Sequence, residues 1–535
     1  MSEAASGGAW SPFKIRTFRA LWLATLASNI GTWMHDVGAG WLMTSLSPSP
    51  VMVALVQTAT TLPIFLLAVP AGALADIIDR RKYLIVIQVW MAATAALLGF
   101  FALTDAVNAW LLVALTFAMG VGAAMMMPAW AAVAPEIVPK KELAAAIALN
   151  SMGINVARAI GPAVAGVIVS FAGTGAVFVL NALSYLAVIF VLARWPREVT
   201  ASALPGERFF GALRAGLRFA RHTAPLRAAI VRGTAFFLFA SALWALLPLV
   251  AKSLVSGGPQ SFGLLVASVG AGAVGGAFVL PKIRDHLSRD ILVAGATVLY
   301  AASMAVTAFV DDLIILCAVM AFAGVAWIAV LSSLQVAAQM ALPNWVRSRG
   351  LAVFMMLFMG SMALGSVAWG KLAEQLSISH SLATAAAGAI VAIGVTWRWK
   401  VSGIENVDLT PSMHWPTPLT HDAVSYDRGP VLITINYQVQ PERVPTFLEL
   451  MADLGEHRRR DGAFYWSVYE DTEAPSHFIE AFSVESWLEH LRQHERVTDE
   501  VRVLQNQVLE TLMAGESPRV AHYVAPDKPG TVEHA

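Results

Sequence analysis

Two charges stand inside apolar stretches of this chain, Asp36 within 18–43 and Arg158 within 143–171. A charge near the centre of a bilayer costs about 2.5–3.5 kcal/mol on insertion scales, so an unpaired one facing lipid is disfavoured. Each is expected to face a central cavity or to pair with the other. A carboxylate that alternates between a buried, neutral state and a paired, charged one carries protons. Asp36 is therefore the leading proton-coupling or substrate-cation residue, with Arg158 its candidate partner. A static structural ion pair is the alternative. His35 adjoins Asp36 but points about 100° away on a helix. It could relay protons, although a hydrogen-bonded structural role is the plainer reading.

Helical spacing places Asn29, Trp33, Asp36 and Gly40 on one face, and Ser151, Asn155 and Arg158 on another. Large soft side chains recur at Trp33, Met34, Met125–Met127, Trp130, Trp244, Trp327 and Met355–Met356. Taken singly, each is best read as packing. As a set they suit an apolar, adaptable cavity for a bulky, partly aromatic substrate. Asn29, Trp33, Met34, Met126, Trp130, Asn155, Trp244 and Trp327 are its expected lining. Sugar recognition would need more amides and acids than these runs offer. No G-x-x-x-x-G-K-[ST] loop occurs, so direct ATP drive is not expected. No catalytic residue, cofactor, metal site or nucleic-acid partner is expected anywhere in the chain.

The elements that would hold these residues follow from composition. The 535 residues are 57% hydrophobic and 13% charged, with mean hydropathy +0.63. That is too apolar for one soluble core, and bilayer is the natural solvent. Runs long enough to span it are expected near 18–43, 51–74, 83–104, 109–133, 143–171 and 174–194. A second set is expected near 230–251, 261–281, 290–310, 313–340, 348–373 and 380–399. Twelve spans place Arg80–Lys82, Lys140–Lys141, Lys282, Arg284, Arg289, Arg347 and Arg349 on one side. By the positive-inside rule both termini of this multi-pass protein are cytoplasmic, in a plasma (inner) membrane. No signal-peptide cleavage pattern is read near the start. Cys317 is the one cysteine, so no internal disulfide forms.

A constant offset of 204 residues relates Gly72 to Gly276, Arg80 to Arg284, Pro139 to Pro343, Gly161 to Gly365 and Gly166 to Gly370. This implies two parallel six-helix halves, 1–195 and 230–402, with a cytoplasmic linker at 196–229. Such bundles keep substrate between the halves and rock one against the other.

Gly72-Ala-Leu-Ala-Asp76-Ile-Ile-Asp79-Arg80-Arg81-Lys82 resembles the loop signature of the major facilitator superfamily, with Asp79 in place of the usual glycine. The resemblance implies a conformational latch of Gly72, Asp76, Arg80 and Arg81. In it Gly72 would permit close helix approach and Asp76 would pair with Arg80. The segment Asn150–Gly166, ending Gly161-Pro162-Ala-Val-Ala-Gly166, resembles the superfamily's antiporter motif, which implies export. The superfamily's arginine in the fourth helix has no counterpart in 110–133, which puts the usual antiporter proton route in doubt.

Residues 1–424 carry 26 Lys+Arg against 17 Asp+Glu, while 425–535 carry 10 against 19. The acidic tail is expected to be a separate domain at 431–526 behind a linker at 403–430. Its patterns give strand 431–439, a helix from Pro441 to about Arg459 and strands 464–469 and 477–482. Helix resumes from Glu485 with Val501, Leu504, Val508 and Leu512 on one face, before a strand at 519–524. That order is the ferredoxin-like βαββαβ unit. It resembles the dimeric α+β barrel domains of small monooxygenases, which implies dimerisation but not catalysis. His490 and His494 are four apart with no evident third metal ligand, and a solvated helix face is expected for them and for His477. The whole chain resembles the transmembrane secretion-effector branch of the superfamily, whose relatives include the enterobactin exporter. The resemblance implies a proton-coupled exporter of siderophores or antibiotics, with drug resistance as one outcome. An importer, a membrane-anchored enzyme acting through the tail and a ligand sensor are the alternatives.

Overall fold

The computed structural model describes residues 10–131, 133–195, 209–343, 345–402 and 428–526, together with 412, 414, 415, 425 and 426. The chain divides into two compact units. The first holds 1–209, 228–336 and 352–402, and the second holds 210–227, 337–351 and 403–535.

The helices of the first unit are α1 (Arg16–Leu46), α2 (Pro50–Ile77), α3 (Arg80–Leu103), α4 (Ala109–Ala131), the short α5 (Val133–Ile137) and α6 (Leu143–Arg194). After α7 (Phe209–His222), which lies almost wholly in the second unit, come α8 (Ala224–Leu249), α9 (Pro259–Arg284), α10 (Arg289–Phe309), α11 (Leu313–Met340), α12 (Arg347–Gln375) and α13 (Ile378–Thr396). Among the described residues ten helices are long and apolar enough to cross a membrane. The sequence led us to expect twelve runs, and both differences have physical causes. α1 has the length but carries Arg16, Arg19, Asn29, His35 and Asp36, and the polar groups that make it a candidate for function dilute its hydropathy. α6 spans 52 residues as two helices that meet at a kink. At the kink Gly173 adopts φ 77°, ψ 172°, a non-helical conformation open to glycine, so the first helix ends where the sequence led us to expect a break.

The 204-residue repeat has a structural counterpart. A Cβ on Gly161 would press on Trp33 and Ile30 of α1, and one on Gly365 would press on Leu238 and Ser241 of α8. Five residues further along, Gly166 meets Pro259 and Gly263 of α9, while Gly370 meets Pro50 and Ala54 of α2. In each half the first glycine packs on that half's own leading helix and the second crosses to the other half. Small residues at these points let the backbones touch.

In the second unit the tail forms β1 (Val431–Gln438), α14 (Val444–Asp461), β2 (Tyr465–Glu470), β3 (His477–Val484), α15 (Trp487–Arg496), α16 (Asp499–Leu509) and β4 (Arg519–Val524). The antiparallel sheet has the order β2-β3-β1-β4. Alternation on β1 buries Val431, Ile433, Ile435 and Tyr437 against Phe447, Met451 and Leu454 of α14. The single helix expected after Glu485 is two, because Ser486 caps α15 and the chain turns at Val497–Thr498 before α16. A buried network sits under the sheet. Glu480 accepts from Arg458 Nε, Tyr437 Oη and Trp466 Nε1, each at 2.9 Å.

The expected linker 196–229 contains α7, and α7 packs within this unit. Arg218 donates to Glu489 at 3.4 Å. Phe219 meets Trp345 edge-on at 5.8 Å. Trp345, from the connection between α11 and α12, lies under the Arg496 guanidinium at 4.2 Å. Of the expected linker 403–430, Trp415 docks on the tail, donating to Gln505 at 3.1 Å, and most of the remainder lies outside the described residues.

Candidate functional site

α1 supplies Trp33 from the first half, and α8 and α11 supply Trp244 and Trp327 from the second. The rings form a chain, with Trp33 to Trp244 at 6.5 Å and Trp244 to Trp327 at 5.5 Å. Trp327 is enclosed by Phe237 at 5.3 Å, Phe236 and Tyr300 at 6.1 Å and Phe358 at 6.3 Å. Those four aromatics were not singled out from the sequence. Phe236 and Phe237 sit two turns from Trp244 on α8, and that shared helix was the available signal.

Arg158 caps this chain. Its guanidinium carbon lies 5.8 Å from the Trp33 ring centre, and its Nε is buried without a hydrogen bond. Gly161, one turn on, gives Trp33 its seat. Trp244 Nε1 is also buried and unpartnered. A cation and an indole donor beside tilted and edge-on aromatics can hold a bulky ligand with an acceptor or anionic group.

Among the described residues no ion pair joins Asp36 to Arg158. Asp36 instead acts electrostatically on Tyr185 of α6, whose hydroxyl lies 3.1 Å from Thr32 Oγ1 and 3.5 Å from Asn181 Nδ2. The two charges thus occupy separate polar surroundings. His35 is 2% exposed and edges Phe178 at 4.8 Å, with neither ring nitrogen hydrogen-bonded. The hydrogen-bonded structural role weighed for it is absent. Asn155 turns back onto its own helix, donating to Ser151 O at 2.9 Å. Met126 and Trp130 join a different cluster with Tyr83, Leu84, Ile87 and Met91 inside the first half. Met34 is buried, and Asn29 is half-buried.

At the expected latch, a Cβ on Gly72 would meet no atom of the described residues within 4 Å. Asp76 lies in α2 with its side chain outside the described residues. Arg80 pairs with Glu136 of α5, a partner the sequence did not suggest. Arg81 donates to Ala193 O, and Asp79 caps α3 by accepting from Lys82 N at 2.9 Å.

Contacts between the halves run from the middle of the bundle, where Gly270 meets Arg158, to the end that bears the α1–α2 turn. Pro162 and Gly166 abut Gly263, Trp41 stacks on Phe262 at 6.4 Å, Lys252 donates to Thr44 O, and Ser49 bonds Glu374. In the tail, His490 is 1% exposed, which corrects the expected solvated face.

Residues 7–530 match a family described as transmembrane secretion effector. The staphyloferrin A transporter of Staphylococcus aureus is 25% identical over 272 residues, covering 48% of this chain and 65% of that protein. The macrolide efflux protein A of Streptococcus pyogenes is 20% identical over 310 residues, covering 57% of this chain and 76% of that protein. The fold is that of solved transporters. A bacterial homologue of the lysosomal transporter Spinster, inward-facing and occupied, matches 73% of this chain and 98% of its own at a TM-score of 0.56 and 15% identity. A POT family transporter in complex with 5-aminolevulinic acid matches 72% of this chain and 97% of its own at 0.59 and 13%. The chain belongs to the transmembrane secretion effector family of major facilitator transporters, multi-pass membrane proteins whose role is transport and not catalysis.

Proposed function

We propose that this protein is a proton-coupled exporter of a hydrophobic or amphipathic small molecule of the siderophore or antibiotic class. The observation that carries the reading is the Trp33–Trp244–Trp327 chain capped by Arg158, which joins the two halves through side chains suited to a bulky ligand. The relatives named for a siderophore and for macrolide efflux support the substrate class. In this reading α1 and both parts of α6 cross the bilayer, giving twelve spans with both termini cytoplasmic. Asp36 exchanges the proton among Tyr185, Thr32 and Asn181. The α1–α2 turn then faces outward, and the contacts at that end describe a bundle closed to the outside. The sheet order β2-β3-β1-β4 supports a ferredoxin-like tail of the dimeric α+β barrel kind. Through Trp345 and α7 the tail holds two cytoplasmic connections and acts as a regulatory or dimerising module.

The test is retention of siderophores and macrolides in cells with and without the protein, before and after a protonophore. Lower retention that needs the protein and vanishes with the protonophore is expected. Higher retention would reverse the direction, and no difference across the panel would exclude the exporter reading.

A further inference from the structure

The tail gathers three imidazoles that transport does not use. His490 and His494 stand one turn apart on α15, and β4 brings His522 to them from the sheet edge. The rings of His490 and His494 are centred 4.8 Å apart, and those of His490 and His522 4.7 Å apart. One ring nitrogen from each lies within 4.8 Å of the other two. His490 Nε2 and His494 Nε2 are 3.3 Å apart. Two nitrogens on a tetrahedral ion at ~2.0–2.1 Å are separated by about that distance.

We propose that His490, His494 and His522 form a three-nitrogen site for a divalent transition-metal ion, with a fourth position open to water or a ligand.

Several features favour metal over plain packing. The Nδ1 atoms of His490 and His494 are buried, and the Gln493 side chain and the Trp415 backbone stand near the two rings. That is where acceptors that orient ligating imidazoles belong. Trp487 at 5.3 Å from His490 and Trp415 at 5.0 Å from His494 wall the cluster with apolar surface. An ordinary imidazole, protonating near 6.5, is mostly neutral at pH 7, the form that binds metal. Arg458, a cation that acts on His490 and His494, is held by Glu480 at 2.9 and 3.4 Å. Neutral nitrogen donors without a carboxylate suit zinc and its transition-metal neighbours and not calcium or magnesium, which take oxygen.

The test uses the purified full chain in detergent, stripped with a chelator and then titrated with zinc chloride. About one tightly held zinc per chain is expected. His494→Ala and His522→Ala should each weaken it by about tenfold or more. His477→Ala should leave it unchanged, because His477 stands apart, 3.9 Å from Asp471. His522→Cys, which keeps a ligand, should retain binding and so separates loss of ligation from loss of fold. Cobalt in the wild-type chain should give the intense visible bands of a four-coordinate site. The proposal is overturned if the wild-type chain retains no zinc after desalting. It is equally overturned if cobalt gives a six-coordinate spectrum, or if the alanine variants bind as the wild type does.

Discussion

The Arg158 guanidinium lies 5.8 Å from the Trp33 ring centre, and no carboxylate among the described residues pairs with it. A buried cation over an aromatic face is held more weakly than one in an ion pair, which leaves Arg158 available to a ligand. Cation–π contacts of this kind contribute about 0.5–2 kcal/mol. Trp33→Ala should therefore raise the substrate concentration for half-maximal transport by roughly threefold to thirtyfold, with normal membrane insertion. Transport kinetics beside a quantified membrane fraction would check it.

Gly166 and Gly263 bring α6 and α9 together across the two halves. Gly166→Leu would hold those backbones apart and disfavour closure at that end of the bundle. Transport should fall by about tenfold or more, as a cost of over 1.4 kcal/mol on one state implies. Labelling of a cysteine placed at Ser49 should rise in the same variant.

Arg80 pairs with Glu136, both partly exposed. Exposed pairs contribute about 0.2–1 kcal/mol, so Arg80→Glu should impair transport without unfolding the chain. Adding Glu136→Arg should restore part of it. A double variant no better than the single one would show that the pair is incidental.

Some of this was readable in the sequence and some was not. Helix positions followed from hydropathy because lipid imposes it, and the 204-residue offset pointed to glycines that prove to play matching packing roles. Trp33, Trp244 and Trp327 were found by type alone, although their contact depends on tertiary packing. Helical spacing left open whether Asp36 and Arg158 pair or face the cavity separately, because it gives the face of each helix and not the rotation of one against another. Tyr185, which stands near Asp36, lies beyond the Gly173 break, where helical phase gives no guide. His522 escaped notice for a similar reason. It follows His494 by 28 residues on a strand, and only the β1–β4 pairing of Ile433 with His522 fixes its place in the sheet.

The second unit should respond to acid. His457 is pushed down to about 4 by burial, with Arg460 and Arg458 reinforcing and Asp461 opposing. His222 is lowered by burial, with Arg221, Arg459 and Arg218 reinforcing and Glu456 opposing. Both line one cavity with Asp453, Glu456, Arg460 and Glu500. An unfolded histidine protonates near 6.5, so the folded unit binds fewer protons than the unfolded chain below that pH. Stability is fully present above about 6.5 and is lost as pH falls from there towards 4. Hydrogen exchange of 444–461 in the full chain, corrected for intrinsic rates, should show less protection at pH 5 than at pH 7. His457→Gln should blunt the change.

Glu480 is fully buried and is shared by Arg458, Tyr437 and Trp466. Removing one partner of a buried pair costs about 3–5 kcal/mol. Glu480→Gln should make the tail protease-sensitive at a lower temperature, while the membrane bundle keeps its own melting point. Equal shifts in both would contradict separate units.

The central claim is tested most directly in inside-out membrane vesicles given an imposed proton gradient, acidic inside, and a labelled macrolide or siderophore. The account predicts gradient-driven uptake by the wild-type chain. It predicts almost none by Asp36→Asn, which should still exchange label down a concentration gradient. Gradient-driven uptake by Asp36→Asn equal to the wild type would contradict the proton-coupling role assigned to Asp36, and no uptake by either would contradict export itself.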